Sequence, residues 1–387
     1  MKQSLMKKLI FGLLLAVWLF PLFFQNFSGT ITFPLKGYQV KARKVDFNRK
    51  HVLDGQWQNY AEAYTKDNLQ TRHFLIRLNN QLKYSLFDHL NAKNVERGKN
   101  DFYFERHYAQ SYLGVTYNGE KILSEKIKTI SELRDTLAQR GIETLVVLAA
   151  GKGQYMPENL PPRCDTIPKK TNDYEVFSQM LQEANIPSLD LQQYLLSMKD
   201  TTSYPLFTKG NIHWSFYAIS YVTDTLLQTL EKQLDQDLPD YERAPVRLSY
   251  RPHYYTEKGI FGSLNLYWTT LADTFAYRDI KTESIDYEGK YRPKVWVVGD
   301  SFYGTLVTYD VPQYFFDENT TFFYYNGAIV NHLENKQYAP GKIKDYLSQL
   351  EEQDIVILWT TDAGIEGFDW GASDMILEHY RQSDNSE

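Results

Sequence analysis

Four short stretches of the chain are apolar almost without interruption: ETLVVLAA (143–150), KVWVVG (294–299), TTFFYY (320–325) and DIVILW (354–359). Runs that do not alternate with polar residues predict strands buried on both faces, as in a parallel sheet covered by helices. Between them the apolar period changes. Leu123, Ile127, Ile130, Leu133 and Leu137 fall on one helical face, and Gly141 suits the left-handed residue that ends such a helix. NDYEVFSQMLQEAN predicts an amphipathic helix with Asn172 and Glu175 spaced as a capping box, and a further helix starts at Ser215. Ile343, Tyr346, Leu347 and Leu350 supply one more helical stripe. Upstream, Leu75, Leu78, Leu82 and Leu86 predict a helix, and NDFYFERHY after Gly98 a short entry strand. The alternation predicts an α/β, three-layer fold with a mostly parallel sheet, whose site lies beyond the carboxyl ends of the strands.

The N-terminus follows a different pattern. Lys2, Lys7 and Lys8 precede LIFGLLLAVWLFPLFF, sixteen residues without a charge. The run continues through Phe27 without the small residues a signal peptidase needs, so it predicts an uncleaved signal anchor over 9–27, close to the roughly 20 residues that span a bilayer. The basic end is then cytoplasmic and the main domain extracytoplasmic, on the periplasmic or cell-surface side. Lys36, Lys41, Arg43 and Lys44, at the other end, oppose that orientation. Residues 28–45 read as a stalk, and 46–387 as one domain with a helical lead-in to about residue 100.

Of the 387 residues 43% are hydrophobic, enough for a large core. The 30 tyrosines, 22 phenylalanines and 7 tryptophans suit either a Tyr-rich core or a sugar-contacting surface. A net charge of −6 without a concentrated basic face argues against nucleic acid as a partner. Cys164 is the only cysteine, which excludes an intramolecular disulfide and paired-cysteine metal or redox sites. Zinc-binding, phosphate-loop and dinucleotide motifs are absent, and His51, His73, His89 and His107 lack ligand spacing, so neither metal nor cofactor is expected.

The candidate chemistry sits in two segments. In KVWVVGDSFYGTL, Ser301 follows an apolar strand and is a nucleophile only if a base takes its proton. In PLFTKGNIHWSFYA, His213 precedes Trp214 at a loop-to-helix boundary and can be that base, or a structural histidine stacked on Trp214. Together with RGKNDFYF and TLVVLAAGKGQYMPENLP, these segments resemble the SGNH-like domain of the periplasmic polysaccharide O-acetyltransferases, the AlgJ- and AlgX-like alginate acetylation family, over roughly residues 46 to 365. In that family a His-Trp motif precedes Gly-Asp-Ser, the order found here.

The resemblance implies acetyl transfer to hydroxyls of a surface or exported polysaccharide, through an acyl group on Ser301 with His213 as base. It also implies an integral-membrane acyltransferase as acetyl source, and places Lys152 and Trp214 near substrate. Asn211 stands where the family has an aspartate, and an amide can orient an imidazole but cannot stabilise imidazolium. A Ser-His dyad oriented by Asn211, a substitute acid among Asp362, Glu366 and Asp369, or a catalytically weak site are the three outcomes. Asp300 is expected to fix the turn, and the Ser301 N–H, with Asn326 as a second donor, to face the oxyanion. A carbohydrate esterase, with water as acceptor, and a non-catalytic glycan-binding scaffold are the alternatives.

Overall fold

The computed structural model describes residues 6–16, 35–36, 42–69, 71–268, 273–331 and 338–384. The chain divides into two compact units, residues 1–93 with 261–270, and 94–260 with 271–387. The helical lead-in thus forms a unit with a segment far along the chain. In the first unit residues 6–16 are helical, followed by α1 (Arg49–Leu53), α2 (Gln56–Asn68) and α3 (Thr71–Phe87). No helix among the described residues is long and apolar enough to cross a membrane. The rest of the expected anchor, 17–27, and most of the expected stalk lie outside the described residues.

The second unit opens with β1 (Val95–Arg97) and β2 (Tyr103–Glu105), an antiparallel pair. The expected entry strand therefore belongs to this small hairpin and not to the main sheet. The chain continues through α4 (Arg106–Tyr112), α5 (Glu120–Ala138), β3 (Glu143–Ala149), α6 (Lys152–Tyr155), α7 (Asp173–Glu183), β4 (Ser188–Asp190), α8 (Leu191–Ser197) and α9 (Phe216–Leu234). After β5 (Arg247–Ser249) and β6 (Phe275–Tyr277), a second small pair, come β7 (Val295–Gly299), α10 (Ser301–Thr308), α11 (Val311–Phe315), β8 (Thr321–Tyr324), β9 (Ala328–Asn331), β10 (Tyr338–Pro340), β11 (Ile355–Thr361) and α12 (Ala372–Asp384).

The main sheet has seven strands in the order β10-β9-β8-β7-β11-β3-β4. From β8 to β4 all neighbours are parallel, and β9 and β10 add an antiparallel edge. The unbroken apolar runs are explained by the two cores. Leu145 and Val147 of β3, Val295 and Val297 of β7, and Ile355 and Ile357 of β11 face a cluster with Leu226 of α9 and Leu306 of α10. Their neighbours Val146, Val298 and Leu358 face Leu133 of α5, Phe177 of α7 and Ile376 of α12. Each fully buried side chain of this size contributes about 1.5–3 kcal/mol, so a polar residue anywhere in the central strands is costly on either face.

Local signals set the ends. Gly141, at φ +75, follows α5; Asn172 accepts from the Glu175 N–H at 3.0 Å, although the Glu175 carboxylate pairs with Lys169 and leaves the capping box half formed. Ser215 caps α9 by accepting from the Ala218 N–H. The stripe at 343–350 forms two 3-10 turns, Ile343–Asp345 and Leu347–Glu352, instead of an α-helix. Tyr346, at φ −125, breaks the run between them, while Ile343 and Leu350 still enter the core.

Candidate active site

Parallel register brings the carboxyl ends of four strands to one edge. Gly299 of β7 lies opposite Tyr324 of β8 and Trp359 of β11, and Thr361 lies opposite Ala149 of β3. Just beyond Gly299, Asp300 caps α10 and Ser301 is its first residue. One Asp300 carboxylate oxygen accepts from the Phe302 N–H and the other from the Thr361 N–H, each at 2.9 Å. The serine is thereby fixed to the central strand. Burial pushes the Asp300 carboxyl up to about 6, against the pull of these backbone donors. Asp300 thus ties the turn after β7 to the end of β11.

His213 and Ser301, 88 residues apart, meet with Nε2 and Oγ 2.9 Å apart. The imidazole is buried and packs edge-on against Phe302. Burial alone pushes it down to about 4, with no carboxylate contributing, so the ring is neutral at pH 7 and able to accept a proton. Its Nδ1 has no hydrogen-bond partner, nor has the Oδ1 of buried Asn211, two residues earlier. Gly259 packs against the amide: a Cβ there would lie 2.3 Å from Asn211 Oδ1.

The loop carrying His213 is held from beneath. Lys152 is buried, and its ammonium donates to the carbonyls of Tyr103, Thr208, Lys209 and Asn211 at 2.8–2.9 Å. Burial pushes Lys152 down to about 7, while Asp273 raises it and the four carbonyl dipoles favour the charged form. The expected substrate contact is therefore corrected: this lysine has spent its donors on backbone. Trp214 is corrected likewise. Its ring is fully buried between Phe302 and Trp359, and its Nε1 donates to Thr305 Oγ1 at 2.8 Å, which locks the His213 loop onto α10.

Asn326 does not reach the oxyanion position. Its Oδ1 accepts from the Ile343 N–H and its Nδ2 donates to the Trp370 carbonyl, so both ends of the amide serve the fold. Among the reserve acids, Glu366 is exposed, and Asp369 accepts from the Gly371 and Ser373 N–H groups. Asp362 is buried, accepts from Ser111 Oγ at 3.3 Å, and has its Oδ1 unpartnered. Burial, and to a lesser extent Asp300, push it up to about 7. None of the three acts on His213.

Tyr325 was not singled out from the sequence. It follows β8 with φ +49, a left-handed conformation that a bulky side chain adopts only under constraint. Its N–H donates to the Gly299 carbonyl and its ring packs edge-on against Trp370. Its phenol oxygen faces the hydroxyl and the backbone N–H of Ser301. Burial and the Asp300 charge raise its pKa against the pull of the Ser301 hydroxyl and N–H, which keeps the phenol protonated. The signal available was the last residue of TTFFYY, at a strand end before Asn-Gly. A nucleophile and a neutral base within hydrogen-bonding distance, with a phenol beside the nucleophile, are parts that acyl transfer requires.

Residues 95–305 match the family model described as SGNH hydrolase-like domain, acetyltransferase AlgX. No curated protein matches the chain. Among solved structures, the O-acetyltransferase domain of Pseudomonas putida AlgJ is 16% identical, with 70% of this chain and 92% of that one covered at a TM-score of 0.45. Pseudomonas aeruginosa AlgX is 15% identical over 70% of this chain and 63% of its own, at 0.42. Bacillus cereus PatB1 with a sulfonyl adduct is 10% identical over 70% and 97%, at 0.44.

Proposed function

The chain belongs to the AlgX-type family of SGNH hydrolase-like acetyltransferases, and from that premise we propose that it moves acetyl groups onto hydroxyls of a surface or exported polysaccharide. The 2.9 Å approach of His213 Nε2 to Ser301 Oγ is the observation that carries this reading. His213 takes the Ser301 proton as Oγ attacks the acetyl carbonyl of an ester donor. The oxyanion is held by the Ser301 N–H and the Tyr325 O–H. Collapse breaks the bond to the donor alcohol, which leaves with the proton from His213. A sugar hydroxyl then gives its proton to His213 and attacks the acetyl-serine, and the returned proton restores Ser301. Asn211 supplies no charge to the base, and His213 Nδ1 and Asn211 Oδ1 are both unpartnered. Lys152 and Trp214 hold the loop on which the base sits.

The expected domain location is extracytoplasmic, tethered through residues 9–27, with an integral-membrane acyltransferase as acetyl source. Labelling by a fluorophosphonate, and turnover of an activated acetyl ester with and without an oligosaccharide acceptor, test the reading. Modification confined to Ser301, lost in Ser301→Ala and His213→Ala, with acetyl recovered on the sugar, is the expected result. Acetate released equally with and without the acceptor indicates the esterase. Absence of labelling in the folded protein favours the non-catalytic scaffold, a second reading that rests on the lack of any carboxylate acting on His213.

A further inference from the structure

Helix α3 is built inside out. Its buried face is polar: Asn80 and Gln81 are only 3–4% exposed. Asn80 donates to the Leu264 carbonyl, Arg77 donates to the Leu266 carbonyl, and Gln81 Oε1 accepts from the N–H groups of Tyr267 and Trp268. The opposite face carries Leu75, Leu78, Leu82 and Leu86, which are 38–67% exposed. A helix at a water-facing surface has the reverse arrangement, because burial of the apolar stripe is what drives its docking. Here the fold spends its hydrogen bonds on the polar face and leaves the leucines for something else.

The same unit supplies two further observations. Its aromatic edge is exposed, with Trp268 63% accessible, and the helix at 6–16 exposes Leu9, Phe11 and Leu14. Its charge is also opposite to that of the rest of the chain. The first 93 residues carry 14 Lys and Arg against 5 Asp and Glu, while the remaining residues carry 28 against 43. Leucines on one helical face, an exposed tryptophan in the same unit and a surplus of basic residues are what an interfacial helix on an anionic bilayer requires: apolar area for the acyl boundary, an amphipathic ring for the headgroup level, and cations for lipid phosphates.

We propose that α3 lies in the plane of a membrane with its leucine face in the headgroup–acyl boundary of anionic phospholipid. This contact is additional to any anchoring by residues 9–27 and does not rest on the acyl-transfer chemistry.

The test uses the full-length protein with Cys164→Ser, carrying an environment-sensitive fluorophore at Leu78→Cys or Leu82→Cys, with Ile122→Cys as reference. The protein is reconstituted into vesicles of equal parts phosphatidylglycerol and phosphatidylethanolamine, and separately into phosphatidylcholine. Emission at positions 78 and 82 is expected to shift to the blue, to be quenched by bromine-labelled acyl chains and to be shielded from aqueous acrylamide. The shift should weaken in phosphatidylcholine or in high salt, because the basic surplus loses its partner. Labels at 78 and 82 that stay open to acrylamide in both vesicles, with no response to brominated lipid, overturn the proposal. So does shielding that arises without lipid and grows with protein concentration, which assigns the face to a second copy.

Discussion

Asn211→Asp is the change that most directly tests how the base works. His213 sits at about 4 because burial penalises imidazolium, and no carboxylate offsets that penalty. Relative to its ordinary value of 6.5 the displacement corresponds to on the order of 3 kcal/mol. A carboxylate within about 5 Å, at an effective dielectric of about 20, attracts imidazolium by roughly 3 kcal/mol, enough to return the histidine close to its unperturbed range. The acidic limb of the acylation rate is then expected to move from about 4 towards neutrality. Above that limb the rate should rise about ten- to a hundredfold, part of the ~10²–10⁴ that a well-matched general base supplies. At pH 5 the gain should vanish, since the variant's stronger base is protonated there while the wild-type base is free. Burst kinetics with p-nitrophenyl acetate between pH 4 and 9 read both quantities. A folded variant whose limb and plateau match wild type would refute the view that position 211 communicates with His213 Nδ1.

Four further outcomes are expected. Lys152→Met leaves the four carbonyls without their donor, at about 1–3 kcal/mol for each that fails to find water; calorimetry should show a lower Tm and labelling of Ser301 should disappear. Gly151→Ala places a Cβ 1.6 Å from Asp362 Oδ1. It should destabilise the fold, and Gly151→Ala combined with Asp362→Ala should recover part of the loss in denaturant titrations. Asp362→Asn should stabilise in a pH-dependent way: the folded carboxyl titrates near 7 and the unfolded one near 3.8, so wild type loses stability as pH rises through that window. The advantage of the variant should be absent below about pH 3.8 and largest above about 7, where it amounts to a few kcal/mol by urea titration at fixed pH values. Tyr325→Phe removes one oxyanion donor and should lower acylation by about 10²-fold with little change in Tm.

The parts of the fold that are legible in the sequence are those where local pattern and global packing agree. The strands at 143, 295, 321 and 355 are unmistakable because both faces are buried, and Ser301 follows from the strand end. His213 is legible through its Trp neighbour and the family resemblance, and the structure then places it on Ser301. What could not be read is which polar side chains the backbone would use up. Lys152 and Asn326 carry chemistry in isolation, but carbonyls and N–H groups distant in sequence claim their donors and acceptors. Tyr325 was hidden for the opposite reason: nothing in TTFFYYNG announces that the turn will force the tyrosine to a left-handed φ beside the serine. For α3 the helical period is visible, yet its outward face is set by Asn80 and Gln81 capturing residues 264–268, a partner that no local pattern reveals.

The Lys152 cage also bears on when this protein can react. The four carbonyls come from residue 103 and from 208–211, and the serine arrives only at 301, so base and nucleophile share no local segment. No fragment of the chain that ends before residue 301 can pair His213 with its nucleophile. Reactivity towards activated esters is thus coupled to completion of the second unit, and a partly synthesised chain is chemically silent without needing an inhibitory segment.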